Sequence, residues 1–190
     1  MKIILFFTYG ISLLDWKNTG LLNREVKFYE ELYKKYNISV TFVTFGDNTD
    51  LKIVENKEFI KVVPLYSLIK YDNNKFIRLI RSLVCYLKLS QIIKEADVLK
   101  TNQLLGSWIA IFSKIKYKKP LIVRTGYDLF TFSRKNKKAN YKVLIYKQLT
   151  KLALKFADIY LISSNTDKEF LSKLYPKYKN KLKVRFNWVE

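Results

Sequence analysis

The stretch KIILFFTYGISLLDWKNTGLLNREVKFYEEL, residues 2–32, decides the reading of the chain. Residues 2–9 form a short, nearly continuous apolar run, as a strand buried on both faces of a parallel sheet requires. A polar loop follows over residues 12–19. From about Gly20 to Tyr36 a helix is expected, because Leu22, Val26, Tyr29, Tyr33 and Tyr36 recur at steps of three and four and share one face. Arg24, Glu25, Lys27, Glu30, Glu31, Lys34 and Lys35 occupy the rest of it.

The same alternation continues to the end. Residues 38–45 alternate and are rich in β-branched and aromatic side chains, so they read as a strand that Gly46-Asp47-Asn48 ends. Further strands are expected at 59–65, 97–101, 120–124, 158–163 and 182–186. Between them lie a long basic helix at about 74–95 and helices at 104–115, 141–156 and 166–174. Seven strands interleaved with helices predict an α/β fold, a doubly wound, Rossmann-like parallel sheet with helices on both faces. The 190 residues fit a single domain. In such a sheet the site lies outside the carboxyl ends of the strands. The segments that matter are therefore 10–20, 102–106, 125–132 and 163–166.

Composition removes several function classes. The chain has no His and one cysteine, Cys85. Ser-His triads, most zinc sites and an internal disulfide framework are thereby excluded, and no metal is expected. No stretch approaches the ~18 apolar residues of a membrane span, and the run at 3–7 is too short for a secretory segment. The expectation is a cytoplasmic protein, peripheral at most on the inner membrane surface. Net charge is +20, carried mostly by Lys. Together with abundant Ile, Asn and Tyr, that is what an AT-rich genome encodes without selection for a charged partner. The other reading is an anionic partner, such as a membrane surface or a phosphorylated substrate. Nucleic acid ranks last, since flexible Lys outnumbers planar Arg and no aromatic–Arg stacking platform is recognisable.

Within the first loop, Asn18 or Thr19 can cap the following helix, and Gly20 leaves room for a ligand at its first turn, where the dipole favours phosphate. Alternatively Gly20 only eases a tight turn. Trp16, in a polar loop, offers a platform for a sugar ring or folds back on the domain. After the fifth strand comes Arg124-Thr125-Gly126-Tyr127-Asp128. Asp128 there can accept a hydroxyl proton or orient a sugar, or merely cap the next turn. Ser163 and Ser164 read as helix N-caps at the same edge. The helix at 74–95 carries Arg78, Arg81 and Lys88 along one face, beside apolar positions. It reads as a membrane-surface helix or as a core helix with a solvated edge. Arg134, Lys135, Lys137 and Lys138 form a second basic cluster near the active edge, suited to an anionic acceptor or head groups.

Three segments together resemble the N-terminal domain of GT-B glycosyltransferases, in particular the retaining family 4. The first is the opening strand, loop and helix, where the family's Gly pair reads Thr19-Gly20. The second, PLIVRTGYDL, keeps Gly126 and Asp128 but has Thr125 where the family has His. The third, FADIYLISSNTDKEFL, matches at Ala157, Asp158 and Ser164. The ending VRFNWVE is similar to the family's link into a second domain, with Asn187 and Val189 matching and Trp188 in place of Gly.

The resemblance implies an acceptor-side half, residues 1–190, whose donor-binding C-terminal domain is absent and is supplied in cis or by a partner chain. It implies transfer of a sugar from a nucleotide-sugar to a glycan or lipid-linked acceptor, without a permanently bound cofactor. Gly20 and Ser164 would face the donor. Trp16, Asn18, Thr125, Gly126 and Tyr127 would hold the acceptor, and Asp128 would act in catalysis. The rival reading is a non-catalytic basic module of the same fold, binding a membrane surface or a protein.

Overall fold

The computed structural model describes residues 1–126, 130, 133 and 140–186. Seven strands form one sheet: β1 (Lys2–Phe6), β2 (Ser39–Thr44), β3 (Ile60–Pro64), β4 (Val98–Thr101), β5 (Leu121–Arg124), β6 (Ile159–Ile162) and β7 (Leu182–Val184). Their order is β3-β2-β1-β4-β5-β6-β7 and every pairing is parallel. The chain reverses its winding direction between β1 and β4, which opens a crevice at their carboxyl ends. The expected doubly wound Rossmann-like sheet is what the chain forms.

Among the described residues the helices are α1 (Leu13–Asn18), α2 (Leu21–Tyr36), α3 (Lys75–Val84), α4 (Ser90–Glu95), α5 (Ser107–Tyr117), α6 (Asn140–Phe156) and α7 (Asn165–Leu174). The period of two along β1 divides the core. Ile3, Leu5 and Phe7 pack with Trp16, Val26, Tyr29 and Phe42 under α1 and α2. Ile4 and Phe6 join Leu99, Val123, Tyr160 and Ile162 under Ile109 of α5, Leu154 of α6 and Leu171 of α7. Helices therefore cover both faces.

Three local expectations are corrected. Residues 12–19 are not simply a loop, because Ser12 and Asp15 close a capping box that starts α1. Buried Asp50 holds the same first turn, accepting the N–H groups of Leu13 (3.0 Å) and Leu14 (3.1 Å) and the Thr44 hydroxyl (2.6 Å). The long helix expected at 74–95 is broken. Ser82 turns its hydroxyl back to the Leu79 carbonyl (2.6 Å) and receives the Trp108 indole N–H (3.0 Å), while the Cys85 thiol donates to the Ser82 carbonyl. Side chains thus compete for the helical ladder. A 3-10 turn at Cys85–Leu87 separates α3 from α4. Finally, neither Asn18 nor Thr19 caps α2. Thr19 ends α1, with its hydroxyl on the Asp15 carbonyl, and the α2 cap position is Gly20, which supplies no side chain.

Candidate functional site

Parallel strands deliver the loops after β1, β4, β5 and β6 to one edge, and hydrogen bonds tie those loops together. The Tyr9 N–H donates to the Leu105 carbonyl (3.1 Å), and the Gly126 N–H to Gln103 Oε1 (2.9 Å). The Ser163 hydroxyl donates to the Gly126 carbonyl. Gly106, the cap position of α5, sits at φ +93°, and a Cβ there would lie 2.8 Å from the Phe7 carbonyl oxygen and 2.9 Å from the Tyr9 nitrogen. Only glycine lets α5 start this close to the end of β1.

At this edge a hollow of about 190 Å³ is lined by Trp16, Leu21, Arg24, Glu25, Asn102, Gln103, Arg124 and Gly126. Leu21 is the first residue of α2. With Gly20 at φ +75°, no capping side chain and no acidic residue in the first turn, the leading N–H groups of α2 have no side-chain acceptor of their own. The helix dipole adds partial positive charge there. Glu25 Oε1 lies 3.2 Å from Arg24 Nη2 and 3.6 Å from Arg124 Nη1, and Arg124 also reaches Asn102 Oδ1 (3.4 Å). Among the described residues two guanidiniums meet one carboxylate here. Such an arrangement suits an anionic group with several oxygens.

A second hollow of about 390 Å³ adjoins the first along the sheet face, sharing Arg24, Glu25 and Arg124, with Ile122 and Leu161 on its floor. Lys100 lines it and donates to the Tyr29 hydroxyl (3.1 Å). Its ammonium stands 5.1 Å and 5.2 Å from the ring centres of Phe28 and Tyr29. Burial, reinforced by the Arg124 charge, holds Lys100 down to about 8. Burial, with Glu25 nearby, pushes the Tyr29 hydroxyl up from its ordinary value.

The structure brings Gly126 and the start of α2 after Gly20 to the first hollow, together with an edge of Trp16. The Trp16 ring itself is in the core, stacked on Phe7 at 4.0 Å between ring centres and edge-on to Phe42. The capping box of α1 turns it inward, so it is not a free platform for a sugar ring. Asn18 is exposed at the end of α1. Thr125 is buried, its N–H (2.9 Å) and hydroxyl (3.3 Å) both on the Leu161 carbonyl. Ser164 caps α7 by accepting the Asp167 N–H (3.1 Å), and its neighbour Ser163 makes the contact to Gly126. Asp158 lies at the start of β6, where it accepts the Leu121 N–H (2.7 Å) and pairs with Lys114. Tyr127, Asp128, Arg134, Lys135, Lys137 and Lys138 lie outside the described residues. Arg78 engages the Tyr71 hydroxyl and ring, and Arg81 pairs with Asp72 (3.3 Å) and the Lys70 carbonyl (2.8 Å), while Lys88 is exposed.

Glu25 and Arg24 were not singled out by the sequence, and Asn102 and Gln103 only as part of the segment 102–106 at the carboxyl edge. Asn102 and Gln103 carry a usable signal, since they directly follow a strand at its carboxyl end. Glu25 reads as one more polar residue on a helix, and only the fold shows that it faces Arg124.

Among the described residues there is no group of three or more acidic, His or Cys side chains placed to hold a metal ion. No helix there is long and apolar enough to cross a membrane.

No family model matches the sequence, and no curated protein matches it. Solved structures do. Anabaena HepE in complex with UDP superposes with a TM-score of 0.59 at 16% identity, over 100% of this chain and 45% of that one. UDP-GlcNAc 2-epimerase from Neisseria meningitidis, bound to UDP-GlcNAc, gives 0.60 at 15% identity, over 97% of this chain and 46% of that one. The apo lipopolysaccharide outer core galactosyltransferase WaaB gives 0.55 at 20% identity, over 100% and 46%. These neighbours are GT-B-fold nucleotide-sugar enzymes, and this chain shares the fold of one part of them. It spans less than half the length of each of the three.

Proposed function

We propose that this chain is the acceptor-side half of a retaining, family 4-like GT-B glycosyltransferase. It works with a second, donor-binding domain to move a sugar from a nucleotide-sugar to a glycan or lipid-linked acceptor. The observation that carries this reading is the start of α2. Its uncapped first turn opens beside Arg24 and Arg124 at the carboxyl edge of the sheet. That is a site for a diphosphate, and the solved structures that share the fold include complexes with UDP and UDP-glucose.

In this reading the N–H groups after Gly20 and the Arg24–Arg124 pair neutralise the donor diphosphate as the sugar leaves. Ser164 stands at the same edge as a further contact to the donor. Gly126, Thr125, Tyr127 and Asn18 are assigned to the acceptor side. Asp128 orients the acceptor hydroxyl, and the departing diphosphate takes its proton.

One helix N-terminus contributes only about 0.3–2 kcal/mol toward an anion. Enzymes remove about 8 kcal/mol or more from a barrier. Two walls are therefore needed to position and neutralise the donor. The test is a transfer assay with a panel of labelled nucleotide-sugars. Residues 1–190 are assayed alone and together with the polypeptide encoded immediately downstream, using membrane and glycan fractions as acceptors. Transfer is expected only in the combined reaction, and it should fall at least tenfold with Arg124→Met. Robust turnover by residues 1–190 alone would refute the half-enzyme reading.

A further inference from the structure

Helix α3 packs Leu79 and Leu83 against the core and also exposes apolar side chains on its other side. Phe76, Ile80, Val84 and Leu87 recur at steps of four and three, and they are 67%, 48%, 52% and 45% exposed. The arginines of the same helix are turned aside. Arg78 is held by Tyr71, and Arg81 by Asp72 and the Lys70 carbonyl, so both brace the segment that leads into the helix. Together, α3 and the 3-10 turn after it present to solvent an apolar stripe with exposed Lys75 at one end and exposed Lys88 at the other. No Asp or Glu lies between those two lysines.

A contiguous apolar surface rimmed by charged groups is suited to contact with a partner. Its chemistry selects a lipid surface. Aromatic and branched aliphatic side chains suit the boundary between headgroups and acyl chains, while flanking ammonium groups suit anionic headgroups. The stripe has no carboxylate of its own to repel them. A second observation points the same way. On the same side of the sheet, with α5 packed between, α6 exposes Tyr141, Leu144 and Ile145 beside exposed Lys142.

We propose that α3 is a lipid-docking element whose exposed apolar stripe sinks into the interface of an anionic bilayer and brings the crevice at the end of β1 up to the headgroups. The approach follows from one contact: the Tyr9 hydroxyl, just beyond β1, donates to the carbonyl of Lys75, the first residue of α3 (3.5 Å). The stripe starts where the crevice opens. The docking is independent of the sugar-transfer reading, so the failure of either leaves the other standing.

The experiment is co-sedimentation of the protein with phosphatidylglycerol-containing vesicles and with pure phosphatidylcholine vesicles, at low and moderate salt. The wild type is compared with the triple variant Phe76→Ser, Ile80→Ser, Val84→Ser and with Lys88→Glu. Because these side chains are exposed, far-UV circular dichroism and the thermal midpoint should match the wild type. The wild type should prefer the anionic vesicles, the triple variant should bind at least tenfold more weakly, and Lys88→Glu should weaken binding in a salt-dependent way. A polarity-sensitive dye on Ile80→Cys should shift to the blue on anionic vesicles. Equal binding by wild type and triple variant, or no dye shift, overturns the proposal. So does a wild-type dimer that the triple variant dissolves without any change in vesicle binding, since the stripe would then serve a second copy of the chain.

Discussion

Glu25 of α2 and Arg124 of β5 meet across the hollow at the carboxyl edge, Oε1 to Nη1 at 3.6 Å. Both side chains are largely withdrawn from water, at 11% and 17% exposure, so solvent screens the pair only in part. Replacing Glu25 by Gln should lower unfolding stability by about 1–3 kcal/mol, read from urea denaturation. It should also raise the affinity of the hollow for inorganic pyrophosphate in calorimetry, because Arg24 and Arg124 lose a competing anion. An unchanged affinity would mean that the hollow is not an anion site.

Gly20 and Gly106 both have positive φ, yet they should respond differently to alanine. At Gly20 a Cβ meets nothing within 4 Å, so Gly20→Ala should cost only the left-handed backbone penalty, about 1–2 kcal/mol. At Gly106 the Cβ would strike backbone atoms of Phe7 and Tyr9 at under 3 Å. Gly106→Ala should therefore be the more destabilising of the two, by about 1–3 kcal/mol beyond Gly20→Ala. Paired chemical-denaturation curves give the comparison directly, and equal losses would contradict the close approach of α5 to β1.

Trp16 separates a core role from a surface role. Its ring is 2% exposed and stacked on Phe7. Trp16→Ala should cost about 3–5 kcal/mol, as for other buried aromatics. A sugar platform at the surface would shift stability by only about 0.5 kcal/mol. A thermal melt of the variant distinguishes the two.

Lys100 should make stability depend on pH in the alkaline range. In the folded protein its ammonium titrates near 8, against an ordinary 10.5. Between those values the unfolded chain holds a proton that the folded chain has released, so protonation favours unfolding there. The contribution of Lys100 to stability therefore rises with pH from about 8 to 10.5, and below 8 the cost of burying the charge is fully present. Lys100→Met should remove this rise. The check is the difference between wild-type and variant urea midpoints at pH 7.5 and pH 9.5, which cancels other groups that titrate in the window. A constant difference would show that the ammonium is not desolvated.

The sheet was legible because buried parallel strands are written as short apolar runs, and residues 2–9 contain β1 with room to spare. The six-residue α1 was harder to see. Its only marks are the Ser12–Asp15 box and an aspartate, Asp50, that arrives from a distant segment to hold its first turn. The break between α3 and α4 has no mark of its own, because apolar spacing continues through Cys85. It depends on Trp108 of another helix reaching Ser82. For the site, strand alternation alone locates the edge and its loops. The meeting of Glu25 with Arg124 is invisible in the sequence, since it depends on where α2 settles on the sheet. The inward turn of Trp16 is equally invisible, because it follows from the short helix.

The strand order also sets a schedule for synthesis. β1 lies inside the sheet, but it is synthesised before both of its neighbours. One neighbour, β2, pairs with it from Ser39, while the other, β4, does not arrive until Val98. Until then one side of β1 has unpaired peptide groups along Ile3, Ile4, Leu5 and Phe6, the very residues that later bond to β4. Strands β5, β6 and β7 afterwards add one at a time, each to the strand just completed. The nascent chain is thus most open to pairing with a neighbouring polypeptide between the emergence of β2 and that of β4, and a chaperone that shields it has its task in that interval.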